Sequence, residues 1–201
     1  GIVLQDKGFK NVVAVNYLEC AGSNALVAIK IKKENPDDGM KVAEALLGNF
    51  IGKFCVVVDE DIDIDSAEHI WWAIAWRTQP YRDFKVIDTP LMSLDPSLAP
   101  PGESRGMVDG GTVRTSGMCI DATIPWGYPP ISLPKQEYME RALEIWKELQ
   151  LPQLTLKSPW FGVELGGWEP EQFVEADLAV QGRYYETGEK FKADRRERGP
   201  I

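Results

Sequence analysis

The sequence predicts an α/β fold: a three-layer αβα sandwich with a mixed, largely parallel central sheet, followed by an irregular C-terminal arm. Three observations lead there. The run Phe54-Cys55-Val56-Val57-Val58 is apolar on both faces, as a central strand buried between helices must be. An acidic turn from Asp59 to Asp65 follows it directly, and residues 66–78 behind that turn read as a capped helix. A further strand at 84–88 completes a strand–helix–strand unit, whose helix-length crossover implies parallel neighbours and a right-handed connection.

The remaining elements follow in chain order. Residues 10–17 and 25–31 read as two strands with turn chemistry between them at Cys20-Ala21-Gly22-Ser23-Asn24, and they suit an antiparallel pair. Asn35-Pro36-Asp37-Asp38-Gly39 opens a helix on which Met40, Ala43, Leu46, Leu47 and Phe50 recur at helical spacing. In the helix at 66–78, Asp65 is the expected N-cap, with Glu68 three residues on as its capping-box partner. Trp72 and Trp76 share one face there and Trp71 turns aside. Core packing is the first expectation for these tryptophans, with a subunit interface or cofactor wall as the alternative. From Thr89 to Pro134 prolines and glycines dominate, and a mostly irregular chain is expected. Residues 135–150 form an amphipathic helix with Met139, Ala142, Leu143, Ile145, Trp146 and Leu149 on its apolar side. Two units result: an α/β domain at 1–150, and an arm at 151–201 that packs on the domain or on a neighbouring subunit, ending in a charged helix or frayed end at 186–198.

With 201 residues, 44% of them hydrophobic and 26% charged, the chain has the composition of an ordinary globular protein. A net charge of −9 argues against nucleic acid and against anionic lipid as partners, because both need a basic face. No apolar run is long enough to span a membrane. The three cysteines, Cys20, Cys55 and Cys119, are widely spaced and form no C-x-x-C pair. That argues against a disulfide framework or zinc site and for a reducing, cytoplasmic location. Gly1 stands where an initiating methionine would, and reads as a processed, tagged or truncated start.

Candidate chemistry is sparse. Asp59, Asp61, Asp63 and Asp65 partly mimic a calcium loop, but Ile64 stands where the turn needs glycine and Ile70 where it needs glutamate. A Mg²⁺ site at Asp59 and Asp61, serving a small phosphotransferase-like enzyme, stays open beside the plainer reading of a strand end and helix cap. His69 is the only histidine, and it has no serine or cysteine motif beside it. Histidine-based triads and zinc hydrolases therefore drop out. The glycine-rich stretch at 106–117 follows no strand in the way a phosphate loop requires, so a mobile or docking loop is expected.

Several blocks together carry a resemblance. They are Val57-Val58-Asp59-Glu60-Asp61-Ile62-Asp63, Trp72-Ala73-Ile74, Arg77-Thr78-Gln79-Pro80 with Asp83, Thr89-Pro90-Leu91, Leu94-Asp95-Pro96, and Gly117-Met118-Cys119-Ile120-Asp121-Ala122-Thr123 with Pro125-Trp126. Over about residues 10–150 their order and spacing resemble the C-terminal part of UbiD-family decarboxylases. The resemblance implies a reversible carboxy-lyase acting on aromatic or α,β-unsaturated acids, in which prenylated FMN carries the chemistry and stabilises the carbanion left by loss of CO₂. It also implies that the catalytic carboxylates, the flavin and its Mn²⁺ and K⁺ belong to an N-terminal domain that this chain lacks, so that the chain alone is inactive and holds no cofactor or metal. This part would then dimerise, or form a higher homo-oligomer, and cap the active site. The substrate-pocket wall implied by the resemblance is Phe50 and Ile51 together with Met92, Ser93 and Leu94. One departure is visible: Ser116-Gly117 stands where many relatives carry Ser-Lys. The faint likeness of the aromatic arm is to longer members acting on hydroxylated or CoA-linked aromatic acids. A separately encoded non-catalytic assembly subunit, or one that completes its site with a partner protein, is the rival expectation.

Overall fold

The computed structural model describes residues 2–49, 52–89, 95, 97, 115–127, 136–154 and 170–198. A short helix α1 (Ile2–Asp6) leads into β1 (Val12–Tyr17) and β2 (Leu26–Ile31), which pair antiparallel. Helix α2 (Asp38–Leu47) crosses over to β3 (Phe54–Asp59), parallel to β2. After the acidic turn come α3 (Ala67–Arg77), a single turn α4 (Pro80–Asp83) and β4 (Phe84–Thr89). Strand β5 (Thr115–Ala122) then enters the sheet parallel to β3 and antiparallel to β4. The strand order is β1-β2-β3-β5-β4.

Alternation along the strands sorts the core into two layers. Val27, Ile29, Ile31, Cys55, Val57 and Cys119 face α2, where Val42, Ala43, Leu46 and Leu47 meet them, with Leu4 of α1 alongside. Ala28, Val56, Val58, Ile120 and Ala122 face the other way, against Ile70 and Ala73 of α3 and against Ile62 and Ile64 of the acidic turn. The isoleucines of the acidic run thus explain its alternation: they plug the sheet while the aspartates stay at its rim. Helices on both faces of a mixed sheet with a parallel centre are the sandwich that the sequence predicts.

Several expectations are corrected. Strands β3 and β4 are not parallel neighbours, because β5 lies between them and β4 runs antiparallel at the edge. Strand β5 is the better central strand, with Cys119, Ile120 and Ala122 buried, whereas β4 exposes Lys85, Val86 and Asp88. Strand β5 itself falls where irregular chain was expected, since Thr115, Ser116, Gly117 and Asp121 dilute its apolar signal. In the arm, residues 151–154 carry no regular structure, the charged helix expected at 186–198 forms as part of α7 (Tyr184–Arg198), and α6 (Pro170–Val180) precedes it with a turn at Gly182, which has φ 75°. Pro170 opens α6 at its first position, where no backbone N–H is needed. Helix α5 (Gln136–Glu148) forms as expected, but Ile145 and the following Leu149 of its apolar side are exposed and Met139 is buried.

Helix α3 is capped one residue later than expected. The Ser66 hydroxyl accepts the His69 backbone N–H at 3.3 Å, while Asp65 accepts from the Asn16 side-chain amide at 2.8 Å. Trp71 and Trp76 are not core residues, both being 67% exposed; Trp72 alone packs inward.

Candidate functional site

Parallel β2, β3 and β5 bring their carboxyl ends to one end of the sheet, the usual place for ligands in such folds. Asp59 closes β3 there, Asp61 follows in the turn, and Arg77 closes α3. The Arg77 side chain is 1% exposed and forks onto both carboxylates, with Nη1 at 3.0 Å from Asp59 Oδ2 and 2.9 Å from Asp61 Oδ1. Its Nη2 reaches Asp61 Oδ2 at 2.5 Å. The backbone N–H of Ile124, beyond β5, donates to Asp59 Oδ2 at 2.7 Å. The Trp72 ring covers the guanidinium at 5.3 Å. Burial pushes the Asp59 carboxyl above its ordinary range, more strongly than the Ile124 N–H and the Arg77 charge pull it down.

Arg77 therefore engages both carboxylates to which the Mg²⁺ alternative would assign a cation. Among the described residues, no group of three or more His, Cys, Asp and Glu side chains is arranged to hold a metal ion. His69 is buried at the start of α3, in keeping with a packing role.

Beside this clamp a pocket of about 280 Å³ is lined by Lys33, Met40, Arg82, Asp83, Asp121 and Trp126, among others. Lys33 Nζ donates to Thr123 Oγ1 at 2.8 Å and to the Ile124 carbonyl at 3.0 Å. Thr123 donates from both its hydroxyl and its backbone N–H to Asp121 Oδ1, at 2.6 and 3.1 Å. Arg82 is spent on Asp83, with Nε and Nη2 each at 2.6 Å, and its guanidinium stacks 4.8 Å from the Trp126 ring. The motif residues Asp59, Asp61, Arg77, Asp83, Asp121, Thr123 and Trp126 thus converge at one end of the sheet, with Asp59 and Asp61 bonded to Arg77, Asp121 to Thr123, and Asp83 and Trp126 both against Arg82. That arrangement holds β3, α3 and β5 in place, and its cations are already committed.

The described residues that flank the implied substrate wall in the sequence lie at the opposite, amino end of the sheet. Phe50, Ile51, Met92, Ser93 and Leu94 all fall outside the described residues. The residues flanking them are described and touch. Lys53, which enters β3, places Nζ 3.0 Å from Asp95 Oδ2 and 2.7 Å from Ser97 Oγ. The Asp95 carboxyl is held down to about 2 by the Ser97 hydroxyl first, then by the Ser97 N–H and the Lys53 ammonium. Beneath this contact the hydroxyls of Thr89 and Thr115 meet at 2.8 Å where β4 ends and β5 begins.

Sequence reasoning singled out Arg77, Asp95 and Asp121 only as members of a motif, and it passed over Lys53. An arginine that closes an apolar helix behind an acidic turn was the one available signal for the clamp. Nothing local in the chain pairs Lys53 with Asp95.

A family model described as the 3-octaprenyl-4-hydroxybenzoate carboxy-lyase C-terminal domain matches residues 2–122. Phenolic acid decarboxylase from Sedimentibacter hydroxybenzoicus is 34% identical over 130 residues, covering 62% of this chain and 24% of that protein. Vanillic acid decarboxylase from the same organism, solved in closed form, is similar with a TM-score of 0.51 and 26% identity, over 70% of this chain and 30% of that one. The UbiD-class enzyme HmfF from Pelotomaculum thermopropionicum, solved in complex with FMN, shares 28% identity at a TM-score of 0.49, over 66% of this chain and 29% of that one. The chain thus spans between 24% and 30% of the length of these relatives.

Proposed function

This chain belongs to the UbiD family, as its 3-octaprenyl-4-hydroxybenzoate carboxy-lyase C-terminal domain, and on that premise we propose that it is the dimerising, active-site-capping part of a reversible decarboxylase of aromatic or α,β-unsaturated carboxylic acids. Residues 1–150 are the capping domain and 151–201 the arm that packs on it or on a neighbouring subunit. Prenylated FMN, with Mn²⁺ and K⁺, belongs to a flavin-binding portion outside these residues and supplies the electron sink for the carbanion left by CO₂. The described residues do not themselves suit a flavin phosphate: Lys33 and Arg82, the cations of the pocket, are committed to Thr123 and Asp83. No step is therefore routed through this chain's own side chains. Its part is to wall the substrate and exclude water.

The observation that supports this reading is the Lys53–Asp95 contact, which ties together the flanks of the two implied wall segments, 50–51 and 92–94. Exposed Ile145 and Leu149 at α5, with Phe173 and Val174 of α6, offer apolar surface for subunit packing. No described helix is long and apolar enough to cross a membrane, and a cytoplasmic location is part of the same proposal.

The test is reconstitution. The chain alone, incubated with prenylated FMN and an aromatic acid labelled at its carboxyl carbon, should elute without flavin absorbance and release no labelled CO₂. The same chain joined to its flavin-binding portion should release it. Flavin binding with CO₂ release by the chain alone overturns the proposal. Release on mixing with a separate protein selects the partner-completed subunit, and an oligomer without activity in any combination selects the assembly subunit.

A further inference from the structure

The pocket of about 280 Å³ at the carboxyl end of the sheet has no part in the proposed function. Four places in the chain line it: Lys33 just after β2, Met40 on α2, Arg82 on α4, and the stretch from Asp121 to Trp126 where β5 ends.

The charges around it are balanced in pairs. Asp37 meets Lys41 at 2.6 Å and Asp83 meets Arg82 at 2.6 Å. Lys33 and Asp121 are joined through one hydroxyl. The Lys33 ammonium donates to Thr123 Oγ1 at 2.8 Å, and that hydroxyl donates to Asp121 Oδ1 at 2.6 Å. The Lys33 charge also bears on Asp59. A phosphate or carboxylate entering here would face Asp121 and Asp83 with no unbalanced cation to meet it. A cationic ligand would face Lys33 and Arg82 with no unbalanced carboxylate. Either charge would be desolvated at a cost, so the pocket suits an uncharged guest.

One donor and one acceptor remain. Two of the three Lys33 N–H groups go to Thr123 and the Ile124 carbonyl, which leaves the third. Both Thr123 donors go to Asp121 Oδ1, and among the described residues no donor meets Oδ2. Asp121 is 8% exposed, so a bond to that oxygen forms largely out of water, where it counts most. Because Thr123 bridges them directly, the two groups sit within the span of one amide and its hydrogen bonds. Met40, Pro125 and the Trp126 ring supply apolar wall, and Trp126 is 62% exposed, which leaves aromatic area to cover.

We propose that this pocket binds a small uncharged aromatic amide: the amide oxygen accepts from Lys33, the amide N–H donates to Asp121, and the ring packs on Trp126 and Met40. Its volume lies just under the usual range of about 300–1,000 Å³, which fits one substituted ring and not a flavin.

The test titrates the full chain, followed by two-dimensional NMR, with benzamide and its charged analogues benzoate and benzamidine. Benzamide should shift the Trp126 indole N–H and the Thr123 amide, and should bind roughly tenfold more tightly than either ion. N,N-dimethylbenzamide keeps the oxygen but lacks the donors, and should bind about tenfold more weakly than benzamide. That comparison needs no variant, so it stands even where a substitution unsettles the fold. Trp126→Ala should weaken benzamide about fivefold with the β3 amides unmoved, and Lys33→Met should weaken it about tenfold, with Lys33→Arg recovering part. The proposal is overturned by no benzamide binding, by benzoate binding as tightly, by equal binding of the dimethyl form, or by shifts that bypass Trp126 and Thr123.

Discussion

The carboxylate of Asp121 lies against the Cα of Gly39, so that a β-carbon on residue 39 would fall inside 3.0 Å of all three carboxyl atoms. Strand β5 thereby sets the acidic side chain of Asp121 at the first turn of α2, the end of a helix where its dipole favours an acidic group. Asp121 cannot swing clear, because it is buried and Thr123 holds it twice.

Gly39→Ala should consequently destabilise the fold by about 1–3 kcal/mol in urea unfolding, the usual range for forcing atoms into a packed site. The same substitution in an Asp121→Ala background should cost clearly less. Additive effects would show that the two residues are uncoupled.

Arg77→Met should lower stability by about 3–5 kcal/mol, because it leaves two partly buried carboxylates without their counter-charge. Arg77→Lys should restore only part of it, since an ammonium cannot fork onto both aspartates. The pH dependence is specific. Burial already raises the Asp59 carboxyl in the folded state, so its protonation favours the fold at low pH and that contribution is lost as pH rises through the folded value. Without Arg77 the Asp59 carboxyl should rise further. The deficit of Arg77→Met in thermal unfolding should therefore shrink as the solution is made more acidic.

The tryptophans of α3 should separate cleanly. Trp71 is 67% exposed, so Trp71→Ser should stay within about 0.5 kcal/mol of the parent. Trp72→Ala removes core contacts and the ring over Arg77, and should cost about 2–4 kcal/mol. Chemical denaturation of the two variants checks this directly.

The contact of Lys53 with Asp95 and Ser97 at the amino end of the sheet should be acid-resistant. Asp95 is depressed from 3.8 to about 2, so its contribution is complete above the unfolded value and is lost only as pH falls toward about 2. Carboxyl titration by NMR should find that low midpoint. Ser97→Ala should raise it more than Lys53→Met does, because the Ser97 hydroxyl is the larger cause.

Much of the molecule was legible in the linear chain. Runs such as Val56-Val57-Val58 and the helical spacing of Ala43, Leu46 and Leu47 mark which faces are apolar, and that alone places β1, β2, β3, α2, α3 and α5 to within a few residues. The antiparallel opening pair and the sandwich class follow from the same patterns, and the motif blocks carry the family. The site was less legible. Its implied wall residues lie outside the described part of the chain, and the polar contacts at either end of the sheet join residues far apart in sequence, Lys53 with Asp95 at the amino end and Lys33 with Thr123 at the carboxyl end.

The sequence by itself determined the types of β1 to β4, α2, α3 and α5, the sandwich class and the kinship, because these depend on local periodicity and on short ordered motifs. Only the tertiary structure decided that β5 takes the place beside β3 and leaves β4 at the edge. Strands compete for the buried centre, and the winner depends on the whole sheet rather than on any one segment. It alone decided that the acidic run closes on Arg77 and that Asp121 needs a glycine opposite it. Both join residues far apart in the chain; the clamp's single local signal is an arginine closing an apolar helix behind an acidic turn, and the approach of Asp121 to Gly39 has none.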